Sequence, residues 1–370
     1  MRAAVLQGIE ALSVVEVPTP VCPEDGILLR VRACGVCGGD VRRYFFGPVA
    51  GSPIMGHEIT GEVIEARKGA TEFSVGDRLS LAADIRCGKC YYCERSLYNL
   101  CDNLKILGRD VDGGFAEYMA LTKDILERGI VNHLPPNLSF VDGALSEPMC
   151  SVLAAQDRLA VGLGDTVVVL GGGPIGCLHA EIAHLRGARQ VILVEPSAER
   201  AANAAALFHV DRVAAPQDAV EAVQEQTNGV GADAAIVATP APEASTQAVE
   251  LVRKRGRIAL FGGLPRQNPT VHLNGNEIHY NEKTVVGTFS YHPRYHKLAL
   301  ELLSSGKIDP KKLIATYSLE DARKAITDAR QGKVLKAVLV PDLEEGPALF
   351  RLDRDERSTA STSSKSHIHR

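Results

Sequence analysis

The chain has 370 residues, 45% hydrophobic and 23% charged, which excludes a disordered polymer and allows two domains with buried cores. Its net charge of -4 carries no basic excess, so neither nucleic acid nor an anionic membrane surface is an expected partner. Met1-Arg2-Ala3-Ala4-Val5-Leu6 is soon broken by Gly8 and Glu10, and no apolar run of about 18 or more residues follows. The expectation is a cytoplasmic protein with neither signal peptide nor transmembrane helix.

The first 150 residues read as strands and turns. Ile27 to Ala33 is a short apolar strand, Gly61 to Ala66 alternates as a half-buried strand should, and Val75-Gly76-Asp77-Arg78 marks a turn. From Asp165 onward, short apolar strands alternate with Ala-rich helical stretches, the pattern of a doubly wound parallel sheet. Those strands are expected at Thr166 to Leu170, Gln190 to Glu195, Asp233 to Ala238, Arg257 to Phe261 and Thr284 to Phe289. Tyr295 to Ser304 carries helical spacing, and Val334 to Val340 reads as a late strand. Residues 353–370 are too polar to bury anything and read as a disordered tail.

The first parallel strand, Thr166-Val167-Val168-Val169-Leu170, runs into Gly171-Gly172-Gly173-Pro174-Ile175-Gly176 and then a helix. Glycines in that setting fit a dinucleotide site. Gly171 permits the tight turn, Gly173 lets backbone approach a pyrophosphate at the helix N-terminus, and Gly176 allows close helix–strand packing. Glu195 ends the next strand, where a carboxylate accepts from ribose hydroxyls and repels a 2′-phosphate, so NAD is expected rather than NADP. Ile175 lies within the loop, and Arg200, one helical turn past Glu195, is placed to cover the adenine.

Four of the nine cysteines, Cys87, Cys90, Cys93 and Cys101, fall on spacings that let one loop close a tetrahedron of thiolates. A site with four sulfur ligands has no open position, so a structural zinc is expected there. A second, dispersed set is Cys37 in Gly35-Val36-Cys37-Gly38-Gly39-Asp40, His57 and Glu58 in Gly56-His57-Glu58, and Glu147 or Cys150 in Ser146-Glu147-Pro148-Met149-Cys150. A thiolate, an imidazole and one carboxylate would leave room for water or substrate on zinc acting as a Lewis acid.

Taken together and in this order, these motifs over roughly residues 1 to 342 resemble the zinc-dependent medium-chain alcohol dehydrogenase superfamily. The resemblance implies an α/β fold: a mainly β, GroES-like catalytic domain (1–150 and 291–370) and a doubly wound Rossmann NAD-binding domain (151–290). It implies two zinc ions per chain, with Cys37, His57, Glu58 and Glu147 around the catalytic one and Asp40 holding His57. Glu147-Pro148 resembles the polyol, sorbitol dehydrogenase-like branch, with Cys150 as the rival ligand. The implied reaction is hydride transfer between NAD and a secondary alcohol of a polyol, cyclitol or sugar derivative, by a homodimer or homotetramer. An L-threonine or simple alcohol dehydrogenase is the alternative substrate class. A redox-inert NAD-binding sensor is the alternative of another kind, although such a protein would be free to lose Cys37, His57 or the carboxylates. The sequence departs from many relatives at Gly39 and Arg42, where a hydroxyl and an imidazole would relay the substrate proton.

Overall fold

A computed structural model describes residues 1–48, 50–67 and 73–342. The tail expected at 353–370 lies outside the described residues. In chain order, a hairpin of β1 (Arg2–Gly8) and β2 (Ala11–Glu16) leads to β3 (Ile27–Gly35), α1 (Gly38–Phe46), β4 (Glu58–Ala66) and β5 (Arg78–Ala82). A small ribbon of β6 (Asp84–Ile85) and β7 (Lys105–Ile106) flanks the cysteine loop. Then come β8 (Tyr118–Leu121), α2 (Lys123–Arg128), β9 (Ile130–His133), α3 (Phe140–Gly143) and α4 (Ser146–Leu159).

The next stretch alternates strictly: β10 (Thr166–Leu170), α5 (Pro174–Leu185), β11 (Gln190–Val194), α6 (Ala198–Leu207), β12 (Arg212–Ala214), α7 (Ala219–Thr227), β13 (Ala232–Val237), α8 (Pro242–Leu251) and β14 (Val252–Leu260). It continues through α9 (Gly275–Tyr280) and β15 (Thr284–Gly287) to α10 (Arg294–Ser304), β16 (Ile314–Ser318), α11 (Ala322–Gln331) and β17 (Lys336–Val340).

Two sheets organise these elements. The parallel one has the order β12-β11-β10-β13-β14-β15, with helices on both faces. Strands covered on both faces read as unbroken apolar runs rather than alternating ones, and every residue of β10 is buried. The sequence order reverses between β10 and β13, the place where such sheets open a crevice at their strand ends. The second sheet, β16-β17-β3-β4-β5-β9, joins the late strands β16 and β17 to the N-terminal ones, so the end of the described chain returns to the first core. Its apolar face packs on Phe115, Leu29, Ile59 and Leu81. Helices α4 and α10 pack together, sharing a core of Met149, Leu153, Tyr295 and Leu303 with the β10 face of the parallel sheet. No described helix is long and apolar enough to cross a membrane.

Candidate active site

Three neighbouring strands set the first cluster. Antiparallel pairing of β3 with β4 places Gly35 opposite Glu58, and pairing of β17 with β3 places Val338 opposite Gly35. Cys37, two residues past the end of β3, therefore lies beside His57 and Glu58 at the start of β4. A Cβ at Gly35 would overlap the Glu58 carboxylate, so this crossing needs glycine. Gly56 (φ +92) turns the chain just before His57, and a side chain there would also strike Phe115 and Cys34.

Cys37 is the N-cap of α1. Its Sγ accepts from the Gly39 amide at 3.4 Å, while Asp40 Oδ2 accepts from the Cys37 amide at 2.9 Å, a reciprocal capping box. The expected hydrogen bond from His57 to Asp40 is not formed among the described residues. Asp40 reaches His57 through its charge only. One ligand atom each of Cys37, His57 and Glu58 lies within 4.8 Å of the others. Burial opposes a charge on His57, but Cys37 and Asp40 outweigh it and hold the imidazole well above its ordinary pKa. A thiol, an imidazole and a carboxylate gathered so tightly, with negative charge in excess, fit a zinc ion by donor chemistry.

Glu58 has a partner that the sequence did not announce. Lys336 Nζ, buried on β17, donates to the Glu58 carboxylate and to the Val36 carbonyl (3.0 Å). Burial alone would lower Lys336 and raise Glu58; each ion restrains the other's shift, and Lys336 ends above its usual value.

Glu147, in the first turn of α4, stands outside the 4.8 Å group but close enough for its charge to act on His57 and Lys336. Tyr291 donates its hydroxyl to Glu147 Oε1 and accepts from the Ala83 amide at 3.1 Å. Burial raises the Glu147 carboxyl above its ordinary pKa, against the pull of His57 and the Tyr291 bond. Cys150 sits one turn along α4, fully buried in the apolar core, with its thiol donating to the Ser146 carbonyl at 3.1 Å. Beneath Glu147, His296 Nε2 meets Ser146 Oγ at 3.0 Å and Ser80 Oγ at 3.1 Å, and Asn132 Nδ2 meets Nδ1 at 2.8 Å. This network fixes the start of α4, and burial drops His296 to about 3, so it stays neutral.

The other cysteines, Cys87, Cys90, Cys93 and Cys101, also bring their sulfurs within 4.8 Å of one another. The Lys89 backbone amide pulls Cys87 down to about 6, whereas burial pushes Cys101 up to about 12. Four thiols packed so closely cannot all ionise without a cation, and the all-sulfur set fits zinc.

At the dinucleotide loop, Gly171 (φ +112) makes the turn, Gly173 caps α5 with Pro174 at its first position, and a Cβ at Gly176 would overlap the Gly171 carbonyl. Space around Gly173 is open, with no atom within 4 Å of a built Cβ. Ile175 packs partly into the core behind the loop. Glu195 is buried: its Oε2 accepts from the Gly172 amide at 2.7 Å, and its Oε1 from the Ser197 amide at 2.8 Å and Arg200 Nη2 at 2.6 Å. Arg200, expected over an adenine, is hydrogen-bonded to this carboxylate with its side chain 40% exposed. Arg42 Nη1 reaches across from the metal cluster's helix to within 3.9 Å of a Cβ built on Gly263, which follows β14. No acceptor among the described residues holds that guanidinium.

Family models match the chain over two stretches: an alcohol dehydrogenase GroES-like domain over residues 23–129 and a zinc-binding dehydrogenase domain over 174–305. Sorbitol dehydrogenase of Halalkalibacterium halodurans is 34% identical over 334 residues, covering 89% of this chain and 95% of that protein. L-Threonine 3-dehydrogenase of Pyrococcus furiosus is 33% identical, covering 88% of this chain and 94% of its own. A zinc-binding dehydrogenase from Sinorhizobium meliloti 1021, solved with NADP, superposes with a TM-score of 0.85 at 30% identity, over 92% of this chain and 99% of that one.

Proposed function

The chain belongs to the zinc-dependent medium-chain alcohol dehydrogenase family, and from that premise we propose that it oxidises a secondary alcohol of a polyol, cyclitol or sugar derivative to a ketone with NAD. The observation that carries this reading is the mixed cluster of Cys37, His57 and Glu58, with Glu147 held beside it by Tyr291. Lewis acidity toward the substrate hydroxyl is the zinc's contribution when bound, and hydride acceptance is the nicotinamide's.

The remaining work belongs to this chain's own side chains. Cys37 and His57 hold the metal, and Asp40 keeps the Cys37 sulfur aimed by capping α1. Glu58 is the third donor, shared with Lys336. Glu147 stands beside that shell, where it would orient a water. Tyr291 occupies its Oε1, which leaves Oε2 as the acceptor atom for the alcohol proton, and a carboxyl raised by burial suits that exchange. Gly39 and Arg42 supply no relay, since glycine has no side chain and a guanidinium offers donors but no acceptor lone pair. Cys87, Cys90, Cys93 and Cys101 hold a second, structural zinc.

In this reading residues 1–150 and 291–370 form the catalytic unit, and 151–290 the cofactor unit. The reaction lies in the cleft that Arg42 crosses toward Gly263. Gly171, Gly173, Ile175 and Gly176 seat the pyrophosphate on α5. Buried Glu195 faces the adenosine ribose and disfavours a 2′-phosphate, and its grip on Arg200 removes the cation that a phosphate would need. The sorbitol dehydrogenase among the relatives supports a polyol substrate. Among the described residues the end strand β15 has a neighbour on one side only, which suits assembly into a homodimer or homotetramer. The test is His57→Ala: NADH formation should fall by at least about a thousandfold while NADH binding, read by its fluorescence, stays within about twofold. Retained turnover would sink the reading.

A further inference from the structure

We propose that the four-cysteine lobe positions the reacting end of the active site through Asn99, which grips the strap that carries Tyr291. This rests on the reading of Glu147 as part of the zinc site given above.

The strap is the segment Phe289 to His292, between β15 and α10. Ser290 within it adopts φ +49, a left-handed conformation that residues with side chains seldom hold without surrounding restraint. Its two central side chains are both tied to buried carboxylates: Ser290 Oγ donates to Asp84, and Tyr291 donates to Glu147 beside the metal cluster. The two ends are held by the lobe. Asn99 Nδ2 donates to the Phe289 carbonyl at 2.8 Å, and the Tyr98 ring lies 5.0 Å from the His292 ring. Arg86, just before Cys87, stacks on the other partner, its guanidinium 4.6 Å from the Tyr98 ring centre. Phe289 itself is 59% exposed, so its own side chain anchors the strap little.

Asn99 and Tyr98 belong to the short turn Tyr98–Leu100 that immediately precedes Cys101. A metal held by Cys101 would fix the turn, the turn fixes the Phe289 carbonyl through Asn99, and the strap then has one way to present Tyr291. Asn99 touches neither substrate nor cofactor in this arrangement; it is a positioning residue. The consequence is that the lobe governs turnover as well as folding.

The test uses the isosteric change Asn99→Asp, which replaces the donor by an acceptor, in the full-length enzyme with both metal sites filled and cobalt exchanged into the mixed-ligand site. Expected results are a displaced cobalt absorption band, a kcat reduced roughly ten- to a hundredfold on the best alcohol, and an unchanged NADH affinity. In a Tyr291→Phe background the same change should cost less than about twofold, because the strap has already lost what Asn99 positions. The proposal is overturned by a wild-type cobalt band in Asn99→Asp, or by losses that multiply in the double variant. The cobalt band does not depend on which alcohol is the substrate, so failure of the functional reading would show separately, as a displaced band without any polyol turnover. Should Asn99→Asp not fold, Tyr98→Leu removes the lobe's ring contact with His292 and carries the same expectations.

Discussion

Gly39 and Arg42 stand where a hydroxyl and an imidazole would otherwise pass the substrate proton along. A Cβ built on Gly39 meets only Cys37 Sγ, at 3.8 Å, which is ordinary contact distance, so the position accepts a small side chain without moving α1. Gly39→Ser should then raise turnover of small alcohols by about tenfold or more, as an added proton-transfer group does. The check is kcat on a small alcohol beside the best polyol; unchanged values on both would place residue 39 away from the reacting hydroxyl. At this scale Cys37, His57 and Glu58 could be picked out from their donor chemistry and the order of their motifs, and the structure brings the three together. Lys336 and Tyr291 could not be picked out. Their partners Glu58 and Glu147 lie 278 and 144 positions away, and a single Lys or Tyr inside an apolar stretch carries no local mark of such pairing. Asp40 was expected to hold His57 and instead caps α1 through the Cys37 amide, a capping box that appears only once the start of that helix is fixed.

The elements were legible to the extent that their apolar pattern was unbroken. Strands β10, β11 and β13 fall within a residue of the sequence expectation, since buried parallel strands announce themselves as β-branched runs. Strand β14 begins at Val252 rather than Arg257, because Arg253, Lys254, Arg255 and Arg257 around Gly256 hide a pairing of Val252 with Ala232. Strand β15 stops at Gly287 and not Phe289: the Thr288 amide bonds the Leu260 carbonyl at 3.2 Å, and the chain leaves the sheet to become the strap. Helix α5 depends most on one residue. Because a Cβ at Gly176 would overlap the Gly171 carbonyl, Gly176→Ala must push the helix off the loop. A stability loss of about 1–3 kcal/mol and at least tenfold weaker NADH binding are expected, measured by urea unfolding and fluorescence titration. Normal affinity in this variant would mean that the loop does not seat the pyrophosphate.

Across the whole molecule, burial has placed two neutral imidazoles where a charge would be costly. His179, on the buried face of α5, has its pKa lowered to about 3 by burial, and Nε2 has no hydrogen-bond partner among the described residues. His296, between β5, β9, α4 and α10, is lowered to about 3 as well. A base depressed in the folded state contributes stability that is present above its unfolded value of 6.5 and is lost as pH falls toward 3. Each such group steepens the acid loss by up to about 1.4 kcal/mol per pH unit. Replacing His296 by Gln should make unfolding free energy fall less steeply than wild type between pH 6.5 and 3, and the difference of the two curves cancels groups common to both. Parallel curves would show that His296 carries its charge in the folded state.

At the same scale lies the claim on which the account depends, that the two sheets and the clusters they bring together make a polyol dehydrogenase linked to NAD. The direct measurement is the initial rate of NADH formation by the purified protein with two zinc ions per chain, on a panel of polyols, cyclitols, L-threonine and simple alcohols, repeated with NADP. The account predicts that a polyol or cyclitol gives the highest kcat/KM and that NAD outperforms NADP by at least about tenfold, as Glu195 requires. A best rate with L-threonine, a preference for NADP, or no turnover from the fully zinc-loaded protein would contradict it.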